Sequence, residues 1–249
     1  MKRWRYVAVF CEELMACAAL IQVGPARQSF WAVLTRADGR LRERTRMLPR
    51  HGTVELPPGR LRVSDGGVLL DLRLDEDEGV QALCPHGREH VWTRKQAGIP
   101  ARGTLALDGG PARQIEALAL IDDTAGHHAR FTEWWWSAGV GAAPDGTPLA
   151  WNLVEGVNDP PVGSERAVWV AGEPAEAAPV SFARDLGSIR GADGSELRFA
   201  PEAERRRREN LLIVRSEYRA PFGAFAGALP GGIELGHGLG VVEHHRAWW

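Results

Sequence analysis

The stretch that decides the fold class is Arg60–Leu74, RLRVSDGGVLLDLRL, in which two strand-like runs flank Asp65–Gly67. In the second run, Leu70, Leu72 and Leu74 alternate with polar residues, so they share one face of an extended strand. Aspartate followed by glycine supplies the positive φ angles that tight hairpin turns need. The stretch therefore predicts an antiparallel β-hairpin with one apolar face.

The same turn signal recurs along the chain between other strand-like runs. It is found at Ala37–Gly39, Asp65–Gly67, Asp108–Gly110, Pro144–Gly146 and Ala192–Gly194. Hairpin signals repeated at short spacing are typical of all-β proteins. The segment Ala203–Asn210 leaves two structures open, a short helix or an edge strand with its arginines directed outward, and its basic run could also meet an anion.

Length and charge bound the class of protein. The chain has 249 residues, which suits one large β domain or two smaller ones. Its net charge of -2 favours neither nucleic acid nor an anionic membrane as a partner. The longest apolar stretch, Leu14–Val23, is too short to span a bilayer, so we predict no stable membrane insertion.

Three cysteines, Cys11, Cys17 and Cys84, form no CxxC pair. Their odd number and spacing disfavour a disulfide framework and a structural zinc site. Cysteines of this kind usually behave as small buried apolar residues. We therefore predict a reducing, cytoplasmic setting.

The composition is unusual in its ten tryptophans against two tyrosines. Indole rings are large, and a buried indole N–H needs a hydrogen-bond acceptor. So many indoles predict a broad apolar interior. That interior is either a plain core or an apolar pocket.

The densest polar and aromatic segment is Ile121–Ser137. In a strand that extends from Arg130, Trp134 and Trp136 share a face with the arginine, and Glu133 lies on the other face. A carboxyl against indoles has a raised pKa, which suits a general acid. We therefore predict Glu133 as a catalytic residue and Arg130, Trp134 and Trp136 as ligand-binding residues, the alternative being a structural salt bridge.

Two adjacent histidines, His127 and His128, precede this strand. In an extended chain they point to opposite faces, so they cannot readily hold one ion together. Residues 243–245, Glu-His-His, add further candidate ligands, but no spacing matches a known metal site. We predict no metal and no cofactor, and we keep both histidines as candidate catalytic residues beside a structural or surface role.

The segment Trp151–Pro161 combines a strand with a polar turn. Alternation places Asn152 on one face and Trp151 with Glu155 on the other. Convergent amides and carboxyls within an apolar cluster are typical of a ligand pocket. We predict Trp151, Asn152 and Asn158 as ligand-binding residues and Glu155 as a catalytic residue, the alternative being an ordinary turn in which Asn158 caps the backbone.

Several motifs of common enzyme classes are absent from the sequence. There is no GxGxxG between a strand and a helix, no P-loop, no HExxH and no GxSxG. These absences disfavour dehydrogenases, nucleotide triphosphatases, zinc proteases and α/β-hydrolases.

Six segments carry a resemblance to a known family: Lys2–Tyr6 (KRWRY), Gly126–Arg130 (GHHAR), Trp134–Gly141 (WWWSAGVG), Trp151–Asp159 (WNLVEGVND), Ser164–Val170 (SERAVWV) and Pro221–Gly223 (PFG). Together they resemble domain-of-unknown-function family 2804 over nearly the whole chain. That family is distantly similar to lipocalin-like carotenoid hydratases and tocopherol cyclases. The resemblance implies a lipocalin-like, calycin-type antiparallel barrel or sandwich with two β-barrel-like halves.

Together the residues and the resemblance predict two halves, 1–120 and 121–249, which can also form one continuous unit. The predicted function is the binding of an apolar small molecule, a lipid or isoprenoid, in a Trp-lined pocket. The alternative is an acid/base enzyme, a hydratase, isomerase or cyclase, acting on such a molecule. The sequence predicts no nucleic-acid partner and leaves the oligomeric state open.

Overall fold

The computed structural model describes residues 1–211 and 214–248, and the regular elements in this part of the chain are β-strands. The first sheet contains β1 Lys2–Cys11, β2 Leu14–Val23, β3 Ala26–Thr35, β4 Arg40–Arg46, β5 Val54–Glu55, β6 Arg60–Asp65, β7 Val68–Leu74, β8 Val80–His86, β9 Glu89–Leu107 and β10 Arg113–Gly126. The second contains β11 Phe131–Ala142, β12 Pro148–Glu155, β13 Ala167–Val170, β14 Glu173–Glu176, β15 Val180–Phe182, β16 Ser188–Gly191, β17 Glu196–Leu211, β18 Val214–Leu229 and β19 Ile233–Trp248.

The two antiparallel sheets follow the same plan. The first has the order β4-β3-β2-β1-β10-β9-β7-β6-β5, with β8 also paired to β9. The second has the order β14-β13-β12-β11-β19-β18-β17-β16-β15. In each sheet the first strand in sequence pairs with the last, β1 with β10 and β11 with β19. This pairing brings residues that are more than a hundred positions apart onto neighbouring strands.

The predicted hairpins are confirmed. Each of the five turn signals separates two consecutive paired strands of one sheet, as in the β6–β7 hairpin around Gly66 and Gly67. Both glycines have positive φ angles, 61° and 82°, which explains the residue type at this turn. The basic run of residues 203–210 forms part of the extended strand β17 and not a helix.

Three apolar clusters hold the fold together. One lies within the first sheet and includes Trp31, and another lies within the second sheet and includes Trp151. The third contains residues of both sheets, such as Tyr6 and Phe10 from β1 and Trp136 from β11. The third cluster therefore joins the two sheets, and it surrounds the site described below.

The all-β antiparallel fold predicted from the sequence is confirmed. The predicted division between residues 120 and 121 falls inside β10, while the chain passes from one sheet to the other between Gly126 and Phe131; the division into two domains stays a prediction. The three cysteines are free thiols, and Cys17 and Cys84 are buried. In the described part of the chain, no helix has the length and apolarity that a membrane crossing requires.

Candidate functional site

A cavity of about 130 Å³ lies between the two sheets. Space for one water molecule takes roughly 10–15 Å³ on this scale, so the cavity could hold on the order of ten non-hydrogen atoms. Its apolar and aromatic walls are formed by Trp4, Tyr6, Ala19, Ile21 and Phe30 of the first sheet and by Trp134, Trp136, Val154 and Tyr218 of the second. The lining is therefore drawn from both sheets.

Aromatic rings of opposite sheets meet across this cavity. Trp4 and Trp134 are nearly parallel, with an interplanar angle of 6° and centroids 6.4 Å apart. Tyr6 meets Trp136 edge-on at 5.5 Å. Pairs of this geometry add specific attraction to the burial of apolar surface. Aromatic contacts thus join the walls that the two sheets contribute.

A carboxyl group, that of Glu243 on β19, is buried in the aromatic wall. Its Oε1 accepts a 2.8 Å hydrogen bond from the indole Nε1 of Trp134, and the phenol of Tyr218 is also bonded to it. Burial raises the pKa of Glu243 to about 7, although the bonds from Trp134 and Tyr218 act in the opposite direction. A neutral carboxylic acid is therefore well populated near pH 7.

A second polar group lies at another part of the cavity wall and is centred on Lys95 of β9. Its Nζ lies 2.6 Å from Asp122 Oδ1 and 3.2 Å from Glu165 Oε1. Burial disfavours the charged lysine, but the attraction of both carboxyl groups outweighs it and raises the pKa of Lys95. Burial raises the pKa of Glu165, with the charge of Asp122 adding to it, because one ammonium cannot compensate two buried carboxylates.

Further bonds hold this cluster in place. Asp122 Oδ2 accepts a 3.1 Å bond from Trp4 Nε1, and its Oδ1 accepts a 2.8 Å bond from the Thr124 hydroxyl. Glu165 Oε2 accepts a 2.9 Å bond from the amide Nδ2 of Asn158. The other end of that amide, Asn158 Oδ1, is buried and has no hydrogen-bond partner among the residues that the structure describes.

Arg205 of β17 closes the wall where the edges of the two sheets approach each other. Its guanidinium lies 3.9 Å from the centre of the Phe30 ring, and its NH2 group donates a 2.6 Å bond to the Thr45 hydroxyl. Its Nε is 3.1 Å from Glu43 Oε2, but the angle is not that of a hydrogen bond. The remaining lining residues near this edge are polar and half-buried: Gln28, Arg207, Glu209 and Ser216.

Two histidines of the lining are kept neutral. Burial lowers the pKa of His128 to about 3 and that of His245 to about 3. His245 lies 2.8 Å from the Ser216 hydroxyl, and its ring contacts Trp134. Both imidazoles are weak bases in this setting, because protonation would place a charge in the apolar interior.

Four of the residues predicted from the sequence line the cavity: His128, Trp134, Trp136 and Asn158. Asn152 lies directly behind this wall. Its Oδ1 accepts a 2.8 Å bond from Trp136 Nε1, and its Nδ2 donates a 2.8 Å bond to the backbone oxygen of Glu165. Asn152 thereby positions two parts of the wall without lining it.

The other five predicted residues lie away from the cavity lining. Glu133 is on the opposite face of β11, where its Oε1 is 2.9 Å from His244 Nε2. Glu155 accepts a 2.8 Å bond from the backbone N–H of Phe182. His127 and Arg130 are exposed.

The fifth of these residues, Trp151, is buried in the core of the second sheet. Its Nε1 donates a 3.1 Å bond to the Ser137 hydroxyl. The ring fits because Gly139 faces it; a Cβ at that position would lie 2.3 Å from the indole. The functional roles assigned to these residues from the sequence stay predictions.

Four polar residues of the cavity wall are not among the site residues predicted from the sequence: Lys95, Asp122, Glu165 and Glu243. The sequence indicates Glu243 only as a candidate metal ligand together with His244 and His245. A sharper signal is present in GVVEHH, residues 240–245, where strand alternation places the carboxyl on the same face as Val241. A carboxyl on the apolar face of a strand needs a partner or a function.

Comparisons with known proteins agree with this fold. The model of the family described as Domain of unknown function (DUF2804) matches residues 60–249. No match was found among curated proteins.

Solved structures with similar folds share little sequence with this chain. Kievitone hydratase from Nectria haematococca has a TM-score of 0.59 at 10% identity, with 98% of this chain and 88% of that chain covered. Protein NE1406 from Nitrosomonas europaea has a TM-score of 0.58 at 13% identity, with 98% and 91% covered. CghA has a TM-score of 0.52 at 8% identity, with 98% and 87% covered.

At such low identity these likenesses concern the fold alone, and they confirm the predicted lipocalin-like architecture with two halves. The predicted family resemblance is confirmed as well, since the family model covers well over half of the chain. The chain belongs to the family described as Domain of unknown function (DUF2804).

Proposed function

We propose that the protein is an acid/base enzyme that protonates a carbon–carbon double bond of a small, mainly apolar molecule held between the two sheets. The observation that carries the proposal is the Glu243 carboxyl, which is buried in an aromatic wall with a pKa raised to about 7. A general acid works best when its pKa lies near the operating pH. The role of acid that the sequence suggested for Glu133 is therefore given to Glu243.

The chemistry begins with transfer of the Glu243 proton to one alkene carbon. The π electron pair forms the new C–H bond, the other carbon becomes a carbocation, and Glu243 becomes a carboxylate. Water then adds to the cation and returns a proton to the carboxylate, which gives net hydration. Loss of a different proton to the same carboxylate gives isomerisation. Attack by a second double bond of the same molecule forms a ring and moves the cation to another carbon, and loss of a proton from the neighbouring carbon to the carboxylate then gives the cyclised alkene.

The aromatic wall suits the charged intermediate of this reaction. A cation over the face of an indole is attracted by the ring quadrupole, by about 2 kcal/mol or more when water is excluded. Trp134 donates its N–H to Glu243, so the edge of this indole meets the acid. The ring of Trp4 lies parallel to it on the other sheet. The acid is thus set in an aromatic wall, while the charge of Arg205 in the same lining favours its ionised form.

The likeness to kievitone hydratase supports the class of reaction, because that protein is named as a hydratase. CghA, which has the same kind of fold, has been solved with the small molecule Sch210972. The second candidate is a protein that only binds an apolar ligand. It is favoured by the aromatic and aliphatic side chains that both sheets contribute to the lining.

The test uses two alkenes whose size suits the cavity, the ten-carbon terpene alcohol geraniol and the ten-carbon hydrocarbon myrcene. Each is incubated in D₂O with the wild-type protein, the Glu243→Gln variant or the Glu133→Gln variant. Mass spectrometry then measures deuterium bound to carbon. We expect the wild type and Glu133→Gln to label at least one alkene at equal rates, and Glu243→Gln to label it about 100-fold more slowly or less.

Two results would overturn the proposal. If Glu243→Gln labels as fast as the wild type, Glu243 is not the acid. If the wild type binds geraniol or myrcene, as measured by tryptophan fluorescence, but labels neither, the cavity serves binding alone. The amide variant keeps the shape of the side chain and the bond from Trp134, so loss of labelling without loss of binding isolates the proton.

A further inference from the structure

The polar part of the cavity wall around Lys95, Asp122, Asn158 and Glu165 is more than a structural ion pair. All four side chains are buried, and all four line the cavity. A cluster that served structure alone would satisfy its own hydrogen-bonding groups, because buried polar groups are nearly always paired. Here the pairing is incomplete, because a buried side-chain oxygen of this group has no hydrogen-bond partner among the described residues.

The donors and acceptors of this cluster can be counted. Lys95 carries three N–H donors, of which Asp122 and Glu165 take one each. Beyond these two ion pairs, one donor of the ammonium remains. Asn158 is only 6% exposed, and its Oδ1 has no partner. The cluster therefore offers the cavity one donor and one acceptor.

The number of free donors and acceptors determines which ligand group can bind to this cluster. A hydroxyl group accepts a bond at its oxygen and donates one through its hydrogen, so it can satisfy Lys95 and Asn158 together. A carbonyl or ether oxygen can only accept, and it leaves Asn158 Oδ1 unpaired. An ammonium can only donate, and it places a second cation beside Lys95.

We propose that this cluster is a subsite for a hydroxyl group, so that the substrate is an apolar molecule that also carries an alcohol or phenol. The inference rests on the proposed function for the occupancy of the cavity and adds the class of substrate. The charge of Asp122 contributes to the raised pKa of Glu243, so the subsite and the acid lie within electrostatic reach of each other. A hydroxyl held by Lys95 and Asn158 would fix the position of the alkene relative to Glu243.

Binding to the wild-type protein tests this inference without any substitution. Dissociation constants are measured by tryptophan fluorescence for geraniol, geranyl methyl ether, myrcene and geranylamine, which share the apolar chain. We expect geraniol to bind about 10-fold or more tightly than each of the others, as for a bond to a buried, otherwise unpaired group. A purely apolar cavity would rank them in the opposite order, with myrcene tightest.

A pair of variants tests whether the preference for geraniol depends on Asn158. Asn158→Gly removes the open acceptor and tolerates the positive φ of 52° at this position. Its matched control is Ile21→Ala, which shortens an apolar side chain of the same cavity. We expect Asn158→Gly to weaken geraniol about 10-fold while changing myrcene little, and Ile21→Ala to weaken both to the same extent.

The outcomes separate the two proposals. If myrcene, the ether or the amine binds as tightly as geraniol, the proposed hydroxyl subsite is wrong. The proposed role of Glu243 as the acid is not affected by that result. An equal effect of Asn158→Gly on geraniol and myrcene also overturns the subsite. If none of the four molecules binds and none is labelled in D₂O, the proposed function fails, and the subsite fails with it.

Discussion

At the scale of single residues, Glu243 shows how an acid is kept neutral inside a protein. The residue is 9% exposed, and the bonds from Trp134 and Tyr218 only partly compensate the carboxyl group for its loss of water. Ionisation of this group therefore destabilises the folded state. That effect makes the stability of the protein depend on pH.

The first prediction concerns the pH dependence of unfolding. The folded pKa of Glu243 is about 7 against an ordinary value of 4.5, so unfolding releases its proton between these values. The stability due to the neutral acid is complete below pH 4.5 and is lost as the pH rises to about 7. We expect Glu243→Gln to gain stability relative to the wild type between pH 4.5 and pH 8, by on the order of 3 kcal/mol.

Urea unfolding at pH 4.5 and pH 8 measures this difference. Glu133→Gln is the control, because Glu133 is partly exposed on the opposite face of β11 and its bond to His244 does not depend on the cavity. A stability difference between Glu243→Gln and the wild type that is the same at both pH values would contradict the raised pKa.

The residues of the site were predictable only in part. Trp134, Trp136 and Asn158 stood out because they occur in dense local segments. Glu243 did not, because its partner Trp134 is 109 positions away and meets it only through the register of β11 and β19. No local pattern encodes that register, and the same is true of the pairing between Lys95 and Glu165.

At the scale of elements, the strand β17 contains a sequence pattern that is compatible with two secondary structures. Its arginines suit a solvated helix or an extended edge strand, and the structure has the strand. Alternation buries Arg205 and exposes Arg206. Arg205 then joins the edge of the second sheet to Glu43 and Thr45 on β4 of the first.

A second prediction compares these neighbouring arginines. Arg205→Met removes the bond to Thr45 and the contact of the guanidinium with Phe30. We expect it to destabilise the protein by about 2 kcal/mol. Arg206→Met, on the exposed face, should change the free energy of unfolding by less than about 0.5 kcal/mol. Equal effects of the two substitutions in urea unfolding would show that the contact between the sheet edges carries no stability.

The elements themselves were more predictable than the site. Turns such as Asp65–Gly67 depend on the φ angles that neighbouring residues allow, and this information is local. The order of the strands is not local. The pairing of β1 with β10 and of β11 with β19 depends on burying apolar faces contributed by the whole sheet, which no single segment specifies.

At the scale of the whole molecule, the two sheets share one apolar cluster. Tyr6 and Phe10 of the first sheet and Trp136 and Phe222 of the second belong to it. Separation of the sheets would expose this cluster and the polar groups around Lys95. The cost of doing so couples the stability of the two sheets.

The third prediction follows from this coupling. In hydrogen exchange measured by mass spectrometry at increasing urea, we expect the hairpin β6–β7 and the hairpin β11–β12 to lose protection at the same urea concentration. These hairpins belong to different sheets. Loss of protection in one sheet at clearly lower urea would mean that each half unfolds as its own cooperative unit.

The parallel indoles of Trp4 and Trp134 have one more consequence. The two rings belong to different sheets, and at a centroid distance of 6.4 Å their electronic transitions are coupled. Exciton coupling of this kind contributes to the circular dichroism spectrum, and the sign and intensity of this contribution depend on the distance between the rings and on the relative orientation of their transition dipoles. The circular dichroism of the native protein therefore depends on the spacing of the two sheets across the cavity. A change in that spacing can be followed without an added label.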